Sequence, residues 1–257
     1  MKTVILAGGL GTRISEESHL LPKPMIEIGG YPILWHIMKI YSSFGFNEFI
    51  ICAGYKQHII KEYFANYYLR NSDVTFDFTD SGTTVTHISN SEPWKVTIVD
   101  TGFSTQTGGR VKRAKPYIGN DTFMLTYGDG VADIDIPALI KAHESSGKTI
   151  TLTAVNIAPR FGFLDTYKDG TVQSFREKND SDTGLVNAGF MVAEPSLIDH
   201  IDGDATVLET DVFNNLVAMK ELNSYHHTGF WKCMDTQRDK FALEDMWNEG
   251  RPPWKLW

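Results

Sequence analysis

The chain has 257 residues, 42% of them hydrophobic and 22% charged, which suffices for a full core and excludes a disordered or low-complexity class. A formal net charge of -8 with no Lys/Arg-rich run excludes broad nucleic-acid binding, so an anionic ligand has to be held by a local cluster of cations. Cys52 and Cys233 are the only cysteines and stand far apart, which excludes a disulfide framework and a thiolate metal site and makes both of them fillers. The N-terminus opens on a strand without a charged and apolar leader, and nowhere do about eighteen apolar residues run together. The expectation is a cytoplasmic protein that does not meet a membrane.

Val4-Ile5-Leu6 is a short apolar run ending in glycines, the pattern of a buried parallel strand delivering a loop to the edge of a sheet. In Gly8-Gly9-Leu10-Gly11 the glycines leave backbone amides uncovered, and Arg13 and the Lys23 of Pro22-Lys23-Pro24 add two cations. Together they describe a polyphosphate cradle. The glycines alone would equally suit a plain turn; Arg13 and the stiff Pro-Lys-Pro weigh against that. A dinucleotide fingerprint fails because Ile14 stands where its third glycine is needed. A P-loop at Gly147-Lys148-Thr149 fails because Ala142 replaces its first glycine and a strand-like run follows.

Leu6-Ala7-Gly8-Gly9-x-Gly11-Thr12-Arg13 followed by Pro22-Lys23-Pro24 resembles the signature of the sugar-1-phosphate nucleotidyltransferase family. The wider match includes Glu27-Ile28-Gly29-Gly30 and Pro32-Ile33-Leu34-Trp35-His36 and runs nearly end to end. It is similar to the members that couple CTP to glucose 1-phosphate. The resemblance implies that the nucleotide is bound by Leu6, Ala7, Gly8, Gly9, Leu10, Gly11, Thr12, Arg13 and Lys23, with Arg13 and Lys23 as the catalytic cations.

Pro32 suits a helix start, and Ile33, Leu34, Ile37, Met38, Tyr41 and Phe44 form a 3.6-period face ended by Gly45. Phe49 to Gly54 reads as the next strand, and Ile59, Ile60, Tyr63, Phe64, Tyr67 and Tyr68 mark the next helix. This β-loop-α-β-α order begins a parallel sheet covered by helices. From Asp73 to Asp100 the chain is β-rich, with Val74 to Phe78 alternating and Val96 to Val99 continuous. Thr101 to Arg110 reads as a loop leading into a helix from Val111 to Tyr117. It resembles the family's base-recognition loop, which implies nucleotide contacts from Ser104, Gly109 and Arg110; a bare solvent-exposed connection is the other reading.

Thr122 to Thr126 is a buried strand that ends in Tyr127-Gly128-Asp129-Gly130. Ligands of open α/β sheets bind at the carboxyl ends of strands, where the Gly8 loop also lies. A carboxylate beside a polyphosphate needs a cation between them, and Mg²⁺ takes one or two carboxylates plus phosphate oxygens, so Asp129 is a candidate ligand. The family match assigns Gly128 to the nucleotide and Asp129 to the metal. It implies Asp235, in Gly229-Phe230-Trp231-Lys232-Cys233-Met234-Asp235-Thr236, as the second ligand; by pattern alone Asp235 could cap the last helix. Asp133 and Asp135 read as dipole partners at a helix start.

Helix 137–146, strand 149–157, a hairpin turning at Asp169-Gly170, strand residues Asn187 to Val192, helices near 195–202 and 208–219, strand 222–227 and a helix 236–248 complete the chain. Phe175-Arg176-Glu177-Lys178 resembles the family's sugar-phosphate segment. This implies sugar-phosphate contacts from Lys178, Asn187 and Gly162, although Asn179 stands where relatives place proline; a surface salt bridge of Lys178 with Glu177 is the plain alternative. His226-His227 should point to opposite faces of a strand and share no ion. Trp247, Trp254 and Trp257 should dock on the body or at a subunit interface.

The fold expected is α/β: a Rossmann-like, mixed but mainly parallel sheet flanked by helices, with a small β-hairpin-containing sugar-binding lobe. One domain spans 1–257, its nucleotide part about 1–157 and the sugar-phosphate lobe with the C-terminal helices about 158–257. The resemblance implies Mg²⁺-assisted transfer of a nucleotidyl group to a sugar phosphate, with CTP and glucose 1-phosphate as substrates, neither nucleic acid nor membrane as partner, and a homo-oligomer, a hexamer in relatives. Rival readings are a thymidylyl- or uridylyltransferase, and a sensor that binds without turnover.

Overall fold

The computed structural model describes residues 1–79, 82–157, 163–166, 172–176 and 184–257. Along the chain run β1 (Thr3–Ala7), α1 (Ile33–Ser42), β2 (Glu48–Ala53), α2 (Gln57–Ala65), β3 (Ser72–Asp77), β4 (Thr83–Ser89), β5 (Lys95–Asp100), α3 (Thr107–Ile118), β6 (Phe123–Tyr127) and β7 (Gly130–Ala132). Then follow α4 (Ile136–Ser146), β8 (Ile150–Ile157), β9 (Phe163–Thr166), β10 (Val172–Arg176), β11 (Gly184–Ala193), α5 (Phe213–Met219), β12 (Leu222–His227), β13 (Trp231–Cys233) and α6 (Gln237–Asn248).

Every residue of β1 is buried, because parallel neighbours β2 and β6 flank it and helices cover both faces. Its side chains alternate between two cores: Ile5 and Ala7 pack with α1 and α4, Val4 and Leu6 with α3 and α5. The main sheet has the order β12-β8-β11-β6-β1-β2-β5 among the described residues. β11 runs antiparallel to both β6 and β8, which makes the sheet mixed but mainly parallel, as expected. β9 and β10 pair antiparallel, Phe163 opposite Arg176, as the expected hairpin; its turn at Asp169-Gly170 lies outside the described residues.

Three expectations are corrected. Thr107 to Arg110 is the first turn of α3 and not the end of a loop. The free amides of Gln106, Gly108 and Gly109 donate to the carbonyls of Asp204 and Thr206 at 2.8, 3.0 and 3.3 Å, so tertiary backbone satisfies the helix start. Asp133 does not serve a helix end: its Oδ1 faces His227 Nε2 at 2.9 Å, while Asp135 alone caps α4 by accepting from Ala138 N at 2.9 Å. Residues 208–212 are not regular α-helix but a single π-helical turn ahead of α5, and 195–200 form a 3₁₀ helix.

The tryptophan tail docks on the body of its own chain. Trp254 is fully buried, and Trp247, Trp254 and Trp257 surround His36 of α1, the rings of His36 and Trp247 lying 4.9 Å apart. His36 Nε2 bonds the Ile28 carbonyl at 2.8 Å, and Nδ1 accepts from Trp254 Nε1 at 3.3 Å, which fixes the neutral Nε2–H tautomer. Burial outweighs the hydrogen bonds to Ile28 and Tyr31 and pushes the imidazole pKa down to about 4 from 6.5. A depressed folded pKa stabilises above the unfolded value, and that stability is lost as pH falls through the folded one. Urea unfolding between pH 6.5 and 4 should therefore show a loss of roughly 3 kcal/mol that His36→Asn lacks; equal slopes in both proteins would refute it.

Candidate active site

The loop after β1, the end of β6 and the start of α3 enclose a cleft of about 320 Å³ at the carboxyl edge of the sheet. Leu6 and Ala7 line it from the end of β1, Gly8, Gly9, Gly11 and Thr12 from the loop that follows, Arg13, Lys23 and Pro24 from the segment after it, and Tyr127, Gly128 and Asp129 from β6 onward. The cradle read from the sequence is thus one surface.

Pro22 and Pro24 hold Lys23 in a 3₁₀ turn closed by Met25 N to Pro22 O at 2.8 Å and Ile26 N to Lys23 O at 3.1 Å. The largely buried Lys23 side chain meets two carboxylates, Asp129 Oδ2 at 2.5 Å and Asp235 Oδ1 at 2.6 Å. The exposed Arg13 adds a bond from Nη1 to Asp235 Oδ2 at 2.8 Å. Burial alone would lower the ammonium pKa of Lys23, but the charges and hydrogen bonds of Asp129 and Asp235 raise it above its ordinary value. Burial would raise Asp235; the hydrogen bond and charge of Lys23, with Arg13 behind, hold it below the usual carboxylate range.

A small ladder brings the two aspartates together across 106 positions of sequence. β7 and β13 pair antiparallel with Gly130 opposite Cys233, and Met234 N donates to Asp129 O at 2.8 Å. Asp235 is not the cap of α6. That role belongs to Thr236, in a reciprocal capping box with Asp239, which leaves the Asp235 carboxylate to Lys23 and Arg13. Two carboxylates from separate segments meeting at one ammonium form a hard-oxygen donor set that fits Mg²⁺, which completes its shell with water and phosphate oxygens. Among the described residues no group of three or more His, Cys, Asp and Glu could hold an ion.

Arg110 lines the far wall and is buried. Its Nη1 donates to Thr101 Oγ1 at 2.7 Å and Gly102 O at 2.9 Å, and its Nη2 reaches Phe103 O at 3.4 Å, so it ties the 101–103 loop to the cleft through neutral acceptors. Desolvation lowers its pKa. Gly8 lies against this guanidinium so closely that any Cβ would overlap it. Gly109 faces away from the cleft, where a Cβ would stand 2.6 Å from Asp204 Cα. Ser104 is exposed and lines an adjoining hollow with Phe103, Gln106 and Arg113; Leu10 is exposed and off the cleft wall. Asn187, in β11, accepts from Gly189 N at 2.9 Å, and Gly189 lies against the Tyr127 ring. Lys178 and Gly162 lie outside the described residues.

Pro24, Thr105, Gln106, Thr107 and Tyr127 also line the cleft without having been singled out in the sequence. Pro24, Thr105 and Tyr127 each adjoin a residue that was; Gln106 and Thr107 lie between Ser104 and Gly109, and their signal was hidden by reading 101–110 as one loop.

Over 258 aligned positions the chain is 55% identical to a glucose-1-phosphate cytidylyltransferase of Salmonella typhimurium, covering 100% of both chains. It is 45% identical to a probable glucose-1-phosphate cytidylyltransferase of Bacillus subtilis, again over 100% of both. The crystal structure of HddC from Yersinia pseudotuberculosis superposes with a TM-score of 0.69 at 24% identity, covering 96% of this chain and 99% of that one, and shares the fold. Residues 2–239 match the Nucleotidyl transferase family. With a mixed α/β sheet of the same build and a full-length relative above half identity, this chain belongs to the nucleotidyltransferase family.

Proposed function

We propose that the protein transfers a cytidylyl group from CTP to glucose 1-phosphate, giving CDP-glucose and pyrophosphate. The observation that carries this reading is the 55% identity, over the whole length of both chains, to a glucose-1-phosphate cytidylyltransferase. A phosphate oxygen of the sugar phosphate attacks the α-phosphorus of CTP. The bond from that phosphorus to the oxygen leading to the β-phosphorus breaks, and its electron pair leaves with pyrophosphate. A phosphate monoester has a second pKa of about 6, so the attacking oxygen is already anionic and needs no general base.

The protein's part is then alignment and charge compensation. The loop amides from Gly8 to Thr12 are assigned to the triphosphate, with Leu6, Ala7 and Gly128 lining the nucleotide's cleft, and the 101–110 segment with Ser104 and Arg110 to the nucleoside. Arg13 and Lys23 offset the charge that builds on the α-phosphoryl oxygens and on the leaving pyrophosphate. Lys178, Asn187 and Gly162 are assigned to the sugar phosphate. Asp129 and Asp235 would hold Mg²⁺, which when bound neutralises phosphate charge. The proposal extends to a homo-oligomer working in the cytoplasm; among the described residues no helix is long and apolar enough to cross a membrane.

The test is pyrophosphate release from purified protein with glucose 1-phosphate, Mg²⁺ and each of CTP, UTP, dTTP, ATP and GTP in parallel. Release that needs both substrates and is fastest with CTP is expected. A faster rate with another nucleotide would keep the chemistry and overturn the base. No release in any tube would leave a binding protein.

A further inference from the structure

Tyr127 and Thr107 stand on different walls of the cleft, and one carboxylate outside it holds both. Glu209 Oε1 accepts from the Tyr127 hydroxyl at 2.5 Å and Oε2 from the Thr107 hydroxyl at 2.7 Å. Thr107 Oγ1 in turn accepts from Leu208 N at 2.9 Å, so the turn that carries Glu209 is itself fastened to the start of α3. That turn is the π-helical Leu208–Val212, a rare form that recurs at functional sites. On the other side Asn187 stands beside the same Tyr127: its Oδ1 accepts from Gly189 N at 2.9 Å, and Gly189 lies against the Tyr127 ring, where a Cβ would stand 2.5 Å from Cδ2.

The result is one string, Asn187 and Gly189 to Tyr127 to Glu209 to Thr107. Its ends lie on β11, the strand that follows the hairpin in the chain, and on α3, which carries Arg110. Its middle is the residue two before Asp129. We infer that Glu209 is a positioning residue: it sets the sugar-phosphate half of the site against the nucleotide half through Tyr127 and Thr107, without touching substrate. The inference rests on the transfer reaction proposed above. A carboxylate suits the role because it offers acceptors to two hydroxyls at once. Gln keeps the shape but presents one acceptor and one donor, and leaves one hydroxyl proton without a partner.

Alignment is worth most where two substrates must meet in line, and a displacement of about 1 Å can cost about a hundredfold in rate. For Glu209→Gln, kcat should fall about tenfold to a hundredfold. The KM values for CTP and glucose 1-phosphate and the melting temperature should stay close to wild type. Tyr127→Phe breaks the string at its middle, so the double variant should be no slower than Tyr127→Phe alone, as groups acting as a unit are non-additive. Calorimetry with an α,β-methylene analogue of CTP, whose P–C–P link cannot be cleaved, supplies a readout without turnover. In the wild type the analogue should tighten binding of glucose 1-phosphate, and in Glu209→Gln that coupling should vanish while each ligand alone binds as before. Additive losses, a loss confined to KM or to melting temperature, or coupling unchanged in the variant would overturn the role of Glu209. A wild type that releases no pyrophosphate would overturn the reaction instead, and the coupling measurement would still decide on Glu209.

Discussion

Asp129→Asn and Asp235→Asn should each lower Mg²⁺-dependent turnover roughly a thousandfold or more, with the fold intact. Charge stabilisation by a bound metal is worth several kcal/mol, and about 1.4 kcal/mol is a factor of ten in rate. An amide keeps the size of either side chain but loses the charge that draws a divalent ion. Both changes leave the ladder of β7 and β13 untouched, because the bonds that hold the two segments together are made by backbone groups. Circular dichroism and melting temperature check the fold, and pyrophosphate release over a Mg²⁺ titration checks the role. Wild-type rates in either variant would remove that residue from the proposed metal pair.

Lys23→Met should cost about 10²–10³-fold in kcat, the usual loss when one preorganised electrostatic group is removed. It should also destabilise the ligand-free protein by about 2 kcal/mol, because Asp129 and Asp235 then face each other with only the exposed Arg13 nearby; the figure discounts a buried pair for their partial exposure. In a chain of this size that is a melting temperature roughly 5 °C lower. Mg²⁺ alone should raise the melting temperature more in Lys23→Met than in the wild type, where the ammonium already offsets part of the charge of the two carboxylates. Equal Mg²⁺ responses would argue that Lys23 and the ion do not compete for them.

The raised Lys23 contributes stability below its ordinary 10.5 that is lost as pH rises through the higher folded value. The lowered Asp235 contributes stability above its ordinary 3.8 that is lost as pH falls through the lower folded value. The wild-type advantage over Lys23→Met should therefore be widest between those limits and shrink at both ends.

What was legible in the sequence was local in origin. The continuous apolar run of β1 and the 3.6-period face of α1 each announce themselves, because burial imposes a pattern that a short window can reveal. The Gly8 loop with Arg13 and Lys23 was legible because a polyanion asks for amides and cations within a few residues of each other. Asp235 was not decided by pattern. A carboxylate just before a helix reads equally as its cap, and only the capping box of Thr236 with Asp239, and the pairing of Gly130 with Cys233, turn it toward Lys23.

By itself the sequence determined the α/β alternation, the glycine cradle and its two cations, and, through resemblance, the family to which the chain belongs. The tertiary structure decided everything that joins distant segments. It extended α3 back over Thr107 to Arg110 by supplying carbonyls from 204–206, gave Asp133 to His227, and folded the tryptophan tail around His36. It also hung both walls of the cleft on Glu209. The physical reason is the same in each case. A hydrogen-bonding group or an aromatic face takes whichever partner the packed chain brings within reach, and residues a hundred positions apart leave no periodic trace of that choice in the sequence.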